Sequence, residues 1–267
     1  MADEAREQEK VDQRQALSAK AVHKALLQEG EEELERSTGA LAWSAFAAGI
    51  SIGLSLVAQG VLRHHLPDTQ WRPLITSLGY PVGFIVVTLG RQQLYTETTL
   101  TACLPLLHHR TREVLLNVLR LWAAVFIGNM IGAALFAFAA AWTSTFSVEL
   151  ARAFSEIGQQ AVRYDFGTAF VKGIFGGWII ALVVWLMPSA DAARIWVIGL
   201  LTYCLVAAEL THIIAGSLDV MFAIFSGDVS WRTFLSHYGV PVFLGNSIGG
   251  LVFVSALNHA QATHGEG

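Results

Sequence analysis

The sequence contains 267 residues, of which 54% are hydrophobic and 14% are charged, and its net charge is −4. A soluble domain carries about 25% charged residues, so the composition excludes an ordinary soluble globule and indicates an integral membrane protein. The negative net charge argues against a nucleic-acid partner. Cys103 and Cys204 both lie in apolar segments, which argues against a disulfide framework or a cysteine-based metal site.

The chain begins with a polar segment, residues 1–37. It lacks an early apolar stretch, so we expect no cleavable signal peptide. Within it, residues 16–35 have the spacing of an amphipathic helix. Such a helix could cap the cytoplasmic mouth of a pore or lie on the membrane surface. A solvated tail is an equally good interpretation of the same pattern.

Six hydrophobic blocks follow, at residues 38–62, 74–104, 114–142, 166–187, 195–225 and 240–257. A membrane-spanning helix needs about 20 residues. The second and fifth blocks are longer than this and carry polar residues at their centres. Polar or non-helical backbone at membrane depth is tolerated only inside protein or beside a water-filled cavity. The pattern therefore predicts two broken helices, in a membrane domain of residues 38–258 between an N-terminal tail, 1–37, and a C-terminal tail, 259–267.

One phrase occurs twice, as VFIGNMIGAALF at residues 125–136 and VFLGNSIGGLVF at residues 242–253. Each copy lies in the third block of its half. Since three spans per half invert the second copy, the sequence predicts an all-α membrane protein with six helices in an inverted 3+3 repeat. Counting back from the asparagines, Thr96 lies 33 residues before Asn129 (129 − 96) and His212 lies 34 before Asn246 (246 − 212). This spacing predicts that Thr96 is the repeat partner of His212.

Basic residues are concentrated in the N-terminal tail, which by the positive-inside rule places both termini in the cytoplasm. The long third connection, residues 143–165, is then expected outside the cell.

His212 is the strongest candidate for a functional residue because it lies midway along a spanning block. A histidine there can exchange a proton near neutral pH, and ionisable residues inside membranes usually have functions. The alternative is a histidine that is buried in helix packing and inert. Thr96 could donate a hydrogen bond to an anion or to the imidazole, although a threonine in a membrane helix commonly bonds its own backbone.

Four charged residues lie in spanning blocks: Arg91, Glu97, Lys172 and Glu209. A charge at the centre of a bilayer costs about 2.5–3.5 kcal/mol on insertion scales, so they cannot all face lipid. Their signs predict pairs of Arg91 with Glu209 and of Lys172 with Glu97. For the first pair we favour a structural role. For Lys172 and Glu97, a structural role and a role in attracting an anion or proton into the pore remain equally open.

Asn129 and Asn246, each next to glycine, are predicted to bind the loop backbone of the broken helices, while the glycines allow close helix approach. The paired histidines of the connections do not form a site, since adjacent side chains do not face the same way. No metal-binding, nucleotide-binding or nucleophile–base pattern occurs. We therefore expect no cofactor, no metal and no enzyme activity.

Together these features resemble the formate/nitrite transporter family. The matching stretches are LYTET at residues 94–98, ALVVWLM at 181–187, THIIAGS at 211–217 and both Gly-Asn-x-x-Gly motifs. The resemblance implies an aquaporin-like protomer in a homopentamer, with a pore in each protomer for small anions such as formate, nitrite or hydrosulfide, often moving with a proton. It also implies that His212 is the central pore histidine and that Thr96 faces it.

By the same resemblance, four residues narrow the pore: Leu94, Tyr95, Tyr80 and Leu205. The chain departs from the family at three polar positions. Thr211 stands where an acidic residue commonly precedes the histidine, and Gly216 and Gly177 stand where asparagines are usual. With the extra charges and the charged tail, these departures indicate a divergent branch.

The leading functional hypothesis is a proton-linked pore for small monovalent anions in the cell (inner) membrane, with the lipid bilayer and the transported anion as its partners. A pore of the same fold for a cation or a small neutral solute is the second hypothesis, because Glu97 and Glu209 could reverse the selectivity. A non-transporting membrane scaffold that acts through the N-terminal helix is the third.

Overall fold

The structure, a computed structural model, describes residues 17–256, with backbone only for residues 253–256. The predicted C-terminal tail, 259–267, and the first part of the N-terminal tail lie outside the described residues. Between them the chain is all helical, as predicted. Four helical stretches in this part of the chain are long and apolar enough to cross a membrane: Thr38–His65, Arg72–Leu89, Arg112–Trp142 and Phe166–Ala207. The last of them bends at Asp191 and contains two spans.

These runs and the shorter helices form six spans and two further helices. The N-terminal helix is Ala19–Glu35. Span 1 is Thr38–Ser51 and Gly53–His65, span 2a is Arg72–Thr76, Ser77–Gly79 and Pro81–Leu89, and span 2b is Tyr95–Thr101 and Cys103–His109. Span 3 is Arg112–Trp142, the connecting helix is Val148–Ala161, span 4 is Phe166–Ala190, span 5a is Arg194–Ala207 and span 5b is Ile213–Phe225. Span 6 is Trp231–Phe234, Leu235–Gly239, Val240–Ile248 and Gly249–Ala256.

The second and fifth spans are broken, as predicted, and both breaks have the same backbone form. Span 2a ends with Arg91 N–H bonded to Thr88 and Gln92 N–H bonded to Val87, and span 5a ends with the same pattern at Glu209 and Leu210. This is a Schellman motif. Its left-handed residue is usually glycine, yet here it is Arg91 (φ 51°) and Glu209 (φ 57°).

The two halves also pack in the same way. Spans 1 and 3 meet at Gly49, where an added Cβ would collide with the carbonyl oxygen of Asn129. Spans 4 and 6 meet at Gly177, where an added Cβ would collide with the carbonyl oxygen of Asn246. Small residues of this kind allow the close helix approach that stabilises membrane bundles. The glycine–asparagine contacts therefore fix the same crossing in both halves.

The N-terminal helix and the connecting helix lie at opposite ends of the bundle. Arg120, near the start of span 3, donates a hydrogen bond to the carbonyl of Leu34 in the N-terminal helix (2.6 Å). Span 3 has 31 residues and is therefore roughly 46 Å long. The connecting helix, part of the long third connection, follows its far end. We call these two sides the N-helix face and the connecting-helix face.

Candidate functional site

Two asparagine side chains hold the breaks together. Asn129 Oδ1 accepts from the Tyr95 N–H (2.9 Å), and its Nδ2 donates to the carbonyls of Ala45 and Gln93 (2.8 Å each). Because the first turn of a helix leaves backbone N–H groups without helical partners, this amide supplies a partner that the loop cannot.

Asn246 repeats the arrangement in the second half. Its Oδ1 accepts from the Ile213 N–H (2.7 Å), and its Nδ2 donates to the carbonyls of Gly173 (2.7 Å) and Thr211 (2.9 Å). Both asparagines are 0% exposed. The geometry therefore matches the loop-binding role predicted for these residues.

This bonding corrects the predicted repeat register. The N–H groups that bind the asparagines belong to Tyr95 and Ile213, so the residue before each, Leu94 and His212, occupies equivalent positions. Both have extended backbone, at φ −112° and −124°. The prediction that Thr96 is the repeat partner of His212 is therefore wrong. The breaks differ by one residue in their distance from the asparagine, which a count from the sequence motif does not reveal.

Thr96 and His212 nevertheless touch. Thr96 Oγ1 lies 2.6 Å from His212 Nε2, and both residues are buried. His212 Nδ1 accepts from the Ala215 N–H (3.2 Å) and so caps span 5b. A neutral imidazole has one protonated nitrogen. Since Nδ1 is the acceptor, the proton is on Nε2 and is donated to Thr96 Oγ1.

This tautomer leaves the hydroxyl proton of Thr96 available to a further acceptor. Because Thr96 Oγ1 accepts from His212, its own hydrogen is not used in that contact. Protonation of His212 at Nδ1 would break the hydrogen bond to Ala215, a capping interaction worth about 1 kcal/mol. The protonation state of His212 and the cap of span 5b are therefore linked.

Aromatic rings from span 2a lie against this pair. The ring of Phe84 packs edge-on to His212 with centroids 5.0 Å apart, and Tyr80 lies 5.0 Å from Phe84. The sequence analysis selected Tyr80 but not Phe84, because a phenylalanine in an apolar helix looks like any other packing residue. Leu94 and Leu205, two more of the predicted constriction residues, are both 0% exposed.

Tyr95, the fourth predicted constriction residue, has the contacts of a packing residue. Its ring stacks on Phe243 at 5.3 Å and packs edge-on to Phe126 at 5.3 Å. Its hydroxyl lies 2.8 Å from Ser247 Oγ. These partners belong to spans 3 and 6, so Tyr95 joins the two halves behind the break.

A tyrosine fills the space beside Gly216. A Cβ added there would collide with the hydroxyl of Tyr238, which donates to the His212 carbonyl (2.9 Å). The hydroxyl of Tyr238 in span 6 therefore occupies the space that a side chain at position 216 would fill. Nothing in the sequence pattern connects residues 216 and 238.

The predicted charge pairs do not form. Arg91 pairs with Glu29 of the N-terminal helix (3.7 Å), whereas Glu209 pairs with Arg163 (2.5 Å). Because Arg91 and Glu209 are equivalent residues of an inverted repeat, they face opposite sides of the membrane domain and cannot meet.

Lys172 and Glu97 are separated in the same way. Lys172 Nζ donates to the Glu209 carbonyl (3.1 Å) and lies 4.5 Å from the ring centroid of Tyr164, a cation–π contact. Glu97 accepts from Thr88 Oγ1 (2.8 Å). The prediction that Lys172 pairs with Glu97 is therefore also wrong. Lys172 lies toward the connecting-helix face, whereas Glu97 lies toward the N-helix face.

The N-terminal helix forms one wall of a vestibule on its own face. The cavity has a volume of about 590 Å³. It is lined by charged residues from the N-terminal helix and its C-cap, the first break, span 2b and span 5a, namely Glu29, Glu32, Glu33, Arg36, Arg91, Glu97 and Arg194. The helix is amphipathic, as predicted, and its buried side chains include Val22 and Leu26. The interpretation of residues 19–35 as a solvated tail is therefore wrong.

Glu33 connects this helix directly to the first break. Its carboxylate accepts from Gln93 Nε2 (2.9 Å) and from Thr101 Oγ1 (2.7 Å). Burial raises the pKa of Glu33 above its ordinary value of 4.5, and the two hydrogen bonds oppose that shift. Gln93 immediately precedes Leu94, so the helix is one residue from the candidate constriction.

No cluster of three or more histidine, cysteine or acidic side chains is placed to hold a metal ion within residues 17–256. The buried polar residues around the break, Thr96, His212 and Tyr238, bond to one another or to backbone. This donor set suits a small polar solute better than a cation that requires several oxygen ligands.

Six spans, an inverted repeat and two half-helices that begin beside a buried histidine define a membrane transport protein. The formate/nitrite transporter family matches residues 20–260, and the chain belongs to this family of transporters, not to an enzyme family. It is 39% identical over 243 residues to the inner membrane protein YfdC of Escherichia coli (strain K12), covering 91% of this chain and 78% of that protein.

Two solved structures share the fold. A chain described as an FNT family ion channel is 17% identical with a TM-score of 0.78, covering 88% of this chain and 96% of that one. A pentameric formate channel with formate bound is 24% identical with a TM-score of 0.68, covering 82% of this chain and 95% of that one. The predicted family and fold class are confirmed.

Proposed function

We propose that the protein is a pore for small monovalent anions such as formate or nitrite, with proton movement linked to transport through His212. The contact between His212 and Thr96 (2.6 Å) carries this proposal. Spans 2b and 5b both begin at this place, and helix N-termini attract negative charge. The hydroxyl proton of Thr96 is a donor suited to a carboxylate or nitrite oxygen.

The surroundings of this contact explain why a proton would help. Leu94, Tyr80, Phe84 and Leu205 belong to one buried and mainly apolar cluster, where a bare anion would lose its hydration at high cost. Protonation of the anion, or of His212, lowers that cost. Uptake is therefore expected to rise with acidity on the side from which the anion comes.

Charge on the connecting-helix face favours an anion. Arg163 pairs with the carboxylate of Glu209, and Lys172 donates to the backbone carbonyl of the same residue, so this cluster has one positive charge in excess. A positive field at a narrow opening raises the local concentration of anions. On the other face, Glu97 lines the vestibule and is a second candidate for proton exchange.

For assembly and location we propose a homopentamer in the inner membrane with both termini cytoplasmic, a membrane domain of residues 38–258 and short tails. The likeness of the fold to a channel described as pentameric supports the assembly, and the similarity to the inner membrane protein YfdC of E. coli supports the location. In this orientation the N-helix face is cytoplasmic and the connecting-helix face is external.

The test is anion flux through the purified protein in liposomes. Formate and nitrite gradients are imposed, and flux is recorded by light scattering together with reversal potentials in asymmetric salt. Formate-dependent flux above that of protein-free liposomes is expected, and any part of it that carries current should reverse near the equilibrium potential of the anion. A cation-selective reversal potential would contradict the proposal.

The second candidate is a pore for a cation or a small neutral solute. Four carboxylates, Glu29, Glu32, Glu33 and Glu97, line the N-helix vestibule against three guanidinium groups, so that mouth has a slight excess of negative charge. The same reversal potentials separate the two candidates, because selectivity follows the charges that line the permeation path.

A further inference from the structure

Asp219 is a buried carboxylate that the proposed anion path does not yet use. It lies on span 5b, seven residues after His212 (219 − 212), and its residue is 6% exposed. Seven residues of helix correspond to about 10 Å and nearly two full turns, so Asp219 lies on the same side of the helix as the histidine. Ionisable residues at such depth are expensive and are usually functional.

The carboxyl group lies toward the connecting-helix face. A Cβ added to Gly158 of the connecting helix would collide with the Asp219 carbonyl oxygen, which fixes the level of the residue along the bundle. Tyr80 of span 2a and Tyr238 of span 6 lie within electrostatic reach of its carboxylate. From Asp219, the side chains of Tyr80 and Phe84 lead to the ring of His212.

Asp219 has no hydrogen-bond partner within residues 17–256, and neither does the hydroxyl of Tyr80. The unpaired side-chain atoms that are completely buried in that region do not include either group. Both groups therefore touch space that a water molecule can enter. An unpaired carboxyl near a phenol in otherwise apolar surroundings is a place where a proton can bind.

Other charges near this carboxyl are already paired or distant. On the elements packed against span 5b, Arg63 of span 1 pairs with Glu156 of the connecting helix (2.8 Å). Asp228 accepts from Ser155. Span 3 carries no charged residue after Arg120. The other ionisable residues of the connecting helix and the start of span 6, namely Glu149, Arg152, Arg232 and His237, are exposed. The buried titratable groups nearest Asp219 are therefore Tyr80 and Tyr238.

We propose that Asp219 is a protonation gate on the connecting-helix side of His212, which repels anions when ionised and admits them when protonated. This inference rests on the proposed anion pore and assigns the side-specific pH dependence of uptake to one residue. An ionised carboxylate near a narrow passage opposes an approaching anion without screening by bulk water. Protonation from the adjoining solution removes that charge and leaves a hydroxyl that can donate to the anion.

The test compares wild type, Asp219→Asn and Asp219→Glu in liposomes with formate gradients, varying pH only on the connecting-helix side. Asp219→Asn removes the charge and the titration, whereas Asp219→Glu keeps both. Asp68→Asn, in the first connection and 95% exposed at its side chain, is the matched control. Protein-free liposomes correct for neutral acid that crosses the lipid.

We expect Asp219→Asn to transport formate at neutral pH on the order of tenfold faster than wild type, the change that corresponds to about 1.4 kcal/mol in a barrier. Its flux should no longer depend on pH on that side, while Asp219→Glu and Asp68→Asn should keep the dependence. Formate flux in wild type with an unchanged pH profile in Asp219→Asn would overturn the assignment of Asp219 alone. Absence of formate flux in folded wild-type oligomer would overturn the proposed function itself, and this inference with it.

Discussion

Asn129 and Asn246 make the same three hydrogen bonds in opposite halves of the protein. Each accepts from the first N–H of a half-helix and donates to two carbonyls, of which one belongs to the loop and the other to a neighbouring span. The two amides thereby determine where spans 2b and 5b begin. Since His212 immediately precedes span 5b, its position depends on Asn246.

Removing either amide should destabilise the bundle. Asn246→Ala leaves the Ile213 N–H and the loop carbonyl of Thr211 without the partner that the amide supplied, and each unsatisfied buried group costs about 1–3 kcal/mol. We expect a lower melting temperature of the purified protein in detergent, with a loss of similar size for Asn129→Ala. Asn117→Ala, on span 3 and without a side-chain hydrogen bond in the described region, is the control. A melting temperature equal to wild type for both tether variants would show that the hydrogen bonds are replaced by water.

Gly216 should not tolerate a side chain. In Gly216→Ala the new Cβ would collide with the hydroxyl of Tyr238 and displace its hydrogen bond to the His212 carbonyl. Overpacking of this kind costs about 1–3 kcal/mol, which thermal unfolding should detect. Gly39→Ala is the comparison, because no atom lies within 4 Å of a Cβ there. Equal stability of the two variants would mean that Tyr238 moves aside freely.

Docking of the N-terminal helix should weaken as pH rises. The pKa of Glu33 is raised by burial, so the docked helix holds the proton more tightly than the free helix does. The stabilisation is fully present below the ordinary value of 4.5 and is lost as pH rises through the higher value of the docked state. Hydrogen exchange of residues 19–35, corrected for the intrinsic pH dependence of exchange, should show less protection at neutral pH. The same change of protection in Glu33→Gln would rule out Glu33 as its source.

Lys172 should accelerate anion transport. Lys172→Gln removes one positive charge from the connecting-helix face, and we expect a several-fold fall in formate flux that shrinks at high ionic strength, since salt screens exposed charges. Lys24→Gln, on the exposed side of the N-terminal helix, is the matched variant. Equal flux for Lys172→Gln and wild type at low salt would exclude an electrostatic role for this amine.

The spans, their breaks and the family follow from the sequence because the signals are local. Apolar length identifies a span, and the repeated Gly-Asn phrase identifies the inverted halves. The sequence count accepted a mismatch of one residue, 33 (129 − 96) against 34 (246 − 212), whereas the breaks differ by one residue in the opposite sense, 35 (129 − 94) against 34. This difference is not local, so the count joined His212 to Thr96 rather than to Leu94. The contact between His212 and Thr96 was nonetheless implied by the family resemblance.

The other errors and omissions each have a separate physical source. Opposite charges at Arg91 and Glu209 suggested a pair, but the inversion that makes them equivalent also puts them on opposite faces. Asp219 drew no attention in the sequence because it lies in an apolar helix near a more conspicuous histidine. The contact between Tyr238 and Gly216 depends on how the start of span 6 lies against span 5b, which the sequence pattern does not show.

The most direct test of the central claim is internal pH recorded during formate-driven flux, in wild type and in His212→Asn. Asparagine can still cap span 5b but cannot carry a proton. We predict that wild type acidifies the liposome interior as formate enters, and that His212→Asn assembles normally but loses this acidification relative to anion flux. Acidification in His212→Asn that equals wild type at equal formate flux would contradict the role of His212 in proton-linked transport.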